Sequence, residues 1–156
     1  MVLSCMTIEI NRVVKSNLWS GKDFAKKKDM KDIVCLVFKH LSLSDDKSVS
    51  IVLVNDIQMH KMNLKFRGKD KPTNVLSFPC DSEFEDEYIG DIVLSFETIE
   101  KEAIEQGKSF ENHFKHLLVH GTLHILGYDH LEEDERLVME KIEVDILQKI
   151  GVVGIY

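Results

Sequence analysis

The sequence predicts an α+β fold: a small mixed β-sheet of about four strands packed with about five helices, and a metal site on a central helix. Three observations carry this. Short β-branched runs alternate with longer stretches of apolar residues at three- and four-residue spacing, with no internal repeat, low-complexity segment or linker. At 156 residues and 44% hydrophobic content, the chain is large enough for one core and too short for two ordinary domains, so one domain over 1–156 is expected. Five of the seven histidines fall between positions 113 and 130.

The elements follow in order. Met6 to Val14 approaches strand alternation and is rich in β-branched residues. Met30, Ile33, Val34, Val37, Phe38 and Leu41 recur at helical spacing, with lysines on the early exposed positions, predicting an amphipathic helix from about Asp23 to Leu41. Ser48 to Val54 reads as a buried strand. Asp56 is the expected cap of a short helix running through Lys65. Lys71-Pro-Thr-Asn then forces an extended or turning chain, after which Val75–Pro79 reads as a strand closed by proline. The acidic connection of Asp81, Glu83, Glu85, Asp86 and Glu87 separates it from Ile89–Ser95, and the two strands are expected to form a hairpin with a solvated, mobile loop. Helices are predicted from Phe96 to Gln106, from Ser109 to Leu126 and from Glu132 to Lys149. The last should bury Leu137, Val138, Ile142, Val144, Ile146 and Leu147, leaving its acids as caps and a solvated face.

Composition narrows the function. A net charge of −7 argues against a surface that binds nucleic acid everywhere, yet Lys61, Lys65, Arg67, Lys69 and Lys71 stand against the single acid Asp70. That segment is either a local anion site or a solvated helix end. Cys5, Cys35 and Cys80 are odd in number and without paired spacing, which fits reduced thiols. No apolar run approaches a membrane span and the first residues lack a signal-peptide pattern, so a cytoplasmic protein with no membrane partner is expected.

The chemistry concentrates in His120-Gly-Thr-Leu-His124-Ile-Leu-Gly-Tyr-Asp-His130. On a helix, His120 and His124 stand one turn apart on one face. Gly127 can adopt the left-handed conformation that ends a helix, so that His130 returns to the same point. Three imidazoles with an open fourth position describe a catalytic zinc site. His113 and His116 share the helical spacing, so more than one ligand set is possible; His116 is expected to support the site or face substrate, and His113 to lie near the solvated helix end.

Zinc lowers the pKa of a bound water to about 7 and polarises carbonyl or phosphoryl oxygens, which makes hydrolysis the natural reaction class. In the zinc-protease helix His-Glu-x-x-His the glutamate is the general base, but here that position is Gly121. A peptidase would need its acid from elsewhere. The glycine either leaves room for a bulky substrate or permits close helix packing. A zinc deaminase lacks support, since no Cys-x-x-Cys pair is present. Phosphodiester hydrolysis asks for a cation opposite the metal, and Arg67 offers a planar, permanently charged fork for two phosphate oxygens if its loop lies beside the zinc.

The eleven residues from His120 to His130 resemble the His-Gly-x-Leu-His-x-x-Gly-Tyr-Asp-His signature of the YbeY endoribonuclease family, a bacterial and organellar factor for ribosomal RNA maturation. Leu64–Pro79 resembles the family's second signature and Ile89-Gly-Asp-Ile92 its third, in the same order, so the resemblance spans about Asn55 to Lys149. It implies an α+β metal-binding fold with His120, His124 and His130 as ligands to one zinc ion and Arg67 as the required arginine near the metal. It also implies cleavage of single-stranded RNA, maturation of the 3′ end of 16S ribosomal RNA, a part in ribosome quality control, and work at the small ribosomal subunit and its proteins. Lys61, Lys65, Arg67, Lys69 and Lys71 would then contact RNA. Ser77 and Asp91, within the matched motifs, either support the site or satisfy sheet and turn hydrogen bonds. The competing reading is a ribosome-assembly or ribosome-associated protein whose zinc is mainly structural; it separates from the enzyme reading at Arg67, whose loss would then weaken binding only.

Overall fold

A computed structural model describes residues 7–81 and 87–156. Its order is β1 (Glu9–Val14), α1 (Lys27–His40), β2 (Ser48–Val54), α2 (Asp56–Arg67), β3 (Val75–Pro79), β4 (Tyr88–Ser95), α3 (Phe96–Gln106), α4 (Phe110–Ile125) and α5 (Glu133–Gln148). Four strands and five helices make the expected mixed α+β fold.

The sheet runs β1-β2-β4-β3, with β1, β2 and β4 parallel and β3 antiparallel to β4. The predicted hairpin is present; residues 82–86 of its acidic connection lie outside the described residues, as does Met6 of the predicted first strand. The expected first helix divides: a short 3-10 turn covers Asp23–Ala25 and α1 starts at Lys27.

Side-chain alternation along β4 decides what lies on each side of the sheet. Ile92 and Leu94 face the main core, while Val93 joins Val54, Met59 and Leu76 beneath α2. In the main core Trp19 is enclosed by Phe96, Phe110 and Phe114, and its indole N–H donates to the Val54 carbonyl at 3.0 Å. Through that core runs α4, which packs against α1, α3, α5, β3 and β4.

Gly121 explains how closely α4 sits on the sheet. A Cβ at this position would stand 2.9 Å from Ile92 Cγ2, 3.2 Å from Ser77 Oγ and 3.3 Å from Val75 Cγ2. Helix packing, rather than room for substrate, is thus what the glycine provides. Gly121→Ala should destabilise the protein by about 1–3 kcal/mol, since Ile92 is fully buried and its branched side chain has little freedom to yield. Urea unfolding of both proteins measures the difference; equal midpoints would contradict the account.

Asp56 does not cap its own helix. Asn55 does, in a capping box with Gln58, whereas Asp56 Oδ1 reaches the start of α3 and accepts from Ser95 Oγ, Thr98 N and Thr98 Oγ1. Glu97 Oε1 returns the bond by accepting from Asp56 N at 2.9 Å. Each helix thus satisfies a free amide at the other's N-terminus. On α5 the expected apolar face is rotated: Leu137 and Val138 are exposed, and the buried side is Met139, Glu143, Ile146 and Leu147. Cys80 carries a free thiol, and Cys5 lies outside the described residues.

Candidate metal centre and adjoining cleft

His120 and His124 lie on the last two turns of α4, which ends as the sequence predicts. Gly127 adopts φ 102° and Tyr128 N–H bonds back to the Leu123 carbonyl at 3.0 Å, turning the chain so that His130 returns. The amide of His130 donates to Asp129 Oδ1 at 2.7 Å. One ring nitrogen from each of His120, His124 and His130 lies within 4.8 Å of the other two.

The donor set fits a divalent ion. His120 Nε2 and His124 Nε2 face each other at 3.0 Å; two nitrogens bound tetrahedrally to one zinc stand roughly 3.3 Å apart. Burial, reinforced by His120 and His130, lowers the pKa of His124 below its ordinary value, favouring the neutral form that a metal ligand must have.

Behind His120 is a group that sequence reasoning missed. Glu143 of α5, expected on a solvated face, is fully buried, and its Oε2 lies 2.9 Å from His120 Nδ1. Its Oε1 lies 2.6 Å from His116 Nε2 and accepts from the Tyr156 hydroxyl at 2.6 Å. The signal was available: Glu143 falls on the same helical stripe as Met139, Ile146 and Leu147. Burial alone would raise its pKa, but hydrogen bonds from His116 and His120, the charge of His120 and the Tyr156 hydroxyl together bring it down to about 2. Tyr156 is pushed well above the ordinary tyrosine range by burial and by its bond to this carboxylate.

The sign for stability follows. A carboxyl whose pKa is lower folded than unfolded contributes stability that is complete above its ordinary 4.5 and disappears as pH falls toward about 2. Acid unfolding of metal-free protein should therefore steepen between those values in the wild type and be flatter in Glu143→Gln. Parallel curves for the two proteins would contradict this.

Arg67 ends α2, and Gly68 follows in the left-handed conformation. Its Nη2 donates to the Ser77 carbonyl at 2.8 Å and its guanidinium carbon sits 5.2 Å from the centre of the Phe78 ring. Ser77 Oγ in turn donates to the Gly121 carbonyl at 3.2 Å, so one residue of β3 ties Arg67 to the histidine helix. Arg67, Lys69, Lys71, Asn74 and Ser77 line a cleft of about 750 Å³ together with His120, His124 and His130. Asn63 holds the basic loop in place, donating from Nδ2 to the Lys71 carbonyl at 2.8 Å, while Asp70 is paired with His60.

Several expected residues lie elsewhere. Lys61 and Lys65 are exposed on α2 and do not line the cleft, and Lys65 sits over the Phe66 ring. Asp91 pairs in register with Phe78, on the α2 side of the sheet, where its carboxylate accepts from the Tyr88 hydroxyl; strand parity takes it away from the histidines. His116 is buried against Glu143. His113 is buried too, rather than near solvent, with Nε2 2.9 Å from Glu102 Oε1.

The family model for endoribonuclease YbeY matches residues 14–151. The fold is also similar to the solution structure of TM1509 from Thermotoga maritima, at 25% identity and a TM-score of 0.60, over 91% of each chain. The matched span takes in every element from α1 to α5, including the histidine turn and the arginine loop. The chain therefore belongs to the YbeY endoribonuclease family, RNA-cleaving hydrolases that process ribosomal RNA.

Proposed function

We propose that this chain is a zinc-dependent endoribonuclease that cuts single-stranded RNA, matures the 3′ end of 16S ribosomal RNA and takes part in ribosome quality control. It would act as one domain over 1–156, in the cytoplasm, at the small ribosomal subunit and its proteins. The observation that carries this reading is that Arg67 and the cluster of His120, His124 and His130 open onto one cleft.

The residues divide the work. His120, His124 and His130 would hold the ion, which supplies Lewis-acid activation of water and neutralisation of phosphate charge. Arg67, held by Ser77 through one nitrogen, would present its planar fork to a phosphate in the same cleft. Lys69 and Lys71 attract the flanking backbone, and Lys61 and Lys65 extend the positive surface along α2. An unpaired strand can bend a phosphate into such a cleft, whereas a duplex keeps its bases stacked and its backbone regular.

The test is cleavage of a labelled RNA alone and annealed to its complement, by protein of determined metal content. Cutting of the single strand, sparing of the duplex and abolition by chelator are expected. Indifference to chelator, or equal cutting of both substrates, would overturn the reading.

A further inference from the structure

Glu143 is the only fully buried carboxylate among the described residues. Burying a charge is costly unless each oxygen is satisfied, and here each one is. As an ionised carboxylate only accepts hydrogen bonds, both facing imidazoles donate to it, His120 through Nδ1 and His116 through Nε2. For His120 this fixes the tautomer: with the proton on Nδ1, the lone pair is on Nε2, the nitrogen that faces His124.

The other end of the network is held independently. Val152 and Ile155 are buried in the main core, and Lys108 Nζ donates to the Ile155 carbonyl at 3.2 Å. This seats the segment after α5 without help from the Tyr156 ring, and the Tyr156 hydroxyl then meets Glu143 Oε1 at 2.6 Å.

We infer that Glu143 is the positioning residue of the metal centre, orienting His120 toward the ion, and that Tyr156 and His116 lock the Glu143 carboxylate from behind. The inference rests on the reading of His120, His124 and His130 as metal ligands. It assigns the segment 152–156 a role in metal binding that its distance in sequence from the ligands conceals. Supporting carboxylates of this kind typically contribute 10- to 100-fold to metal affinity.

The experiment measures zinc dissociation constants by competition with a chromophoric chelator, and the visible spectrum of the cobalt(II) form, for wild type, Glu143→Gln, Tyr156→Phe and His124→Ala. Glu143→Gln should weaken zinc by about 10- to 100-fold and alter the cobalt spectrum. Tyr156→Phe, which loses one hydrogen bond and keeps the ring and the His116 bond to Glu143, should weaken zinc by about three- to tenfold and stay folded, with a metal-free melting temperature lowered by no more than a few degrees. Wild-type zinc affinity in both variants would overturn the inference while leaving the metal reading intact. Were Glu143→Gln not to fold, wild-type affinity in Tyr156→Phe would overturn the lock. Zinc that fails to bind wild type stoichiometrically, or that binds His124→Ala equally well, would overturn the metal reading and this inference with it.

Discussion

Arg67→Ala should lower RNA cleavage by at least about 100-fold while leaving zinc content and melting temperature close to those of the wild type. The side chain is exposed, so its removal opens no cavity in the core. It makes one bond to the Ser77 carbonyl and a cation–π contact with Phe78, each worth on the order of 1 kcal/mol or less at an exposed site. What disappears is the fixed charge that shares the cleft with the histidines, and its effect is greatest where phosphate charge grows in the transition state. Single-turnover cleavage at saturating RNA separates this from weakened binding. A rate restored by raising the protein concentration would mean that Arg67 only binds RNA, and the ribosome-associated reading would then account for the protein better.

His124→Ala should release the metal and reduce cleavage to the background of the reagents. It removes the middle imidazole, whose Nε2 lies 3.0 Å from that of His120, and leaves two of three ligands. Zinc at 100 times its dissociation constant stabilises a folded protein by about 2.7 kcal/mol, so added zinc should raise the wild-type melting temperature and leave the variant unmoved. An equal rise in both proteins would place the ion elsewhere. Equal cleavage by wild type, Arg67→Ala and His124→Ala would assign the activity to a contaminant.

The parts legible in the sequence are those fixed by local geometry. His120 and His124 converge because helical spacing brings residues four apart onto one face, and His130 follows because Gly127 can turn left-handed. Lys69 and Lys71 reach the cleft through tertiary placement of the loop after α2, which composition alone left undecided. Ser77 and Asp91 looked alike as polar strand residues in matched motifs; which side each serves depended on the pairing of β3 with β4, a non-local property. Glu143 went unseen because the acids of α5 were read together as surface. Its place among Met139, Ile146 and Leu147 marked it as different, but its partners come from α4 and from beyond α5.

Ser77 gives the site a mechanical property. Its carbonyl holds Arg67 and its hydroxyl holds the backbone of α4, so a single residue on a paired strand gauges the gap between guanidinium and histidines. The entropy of aligning the two walls is lost once, when the chain folds, instead of at each encounter with RNA. Such a site behaves as a jig of set width: it selects the strand that already fits.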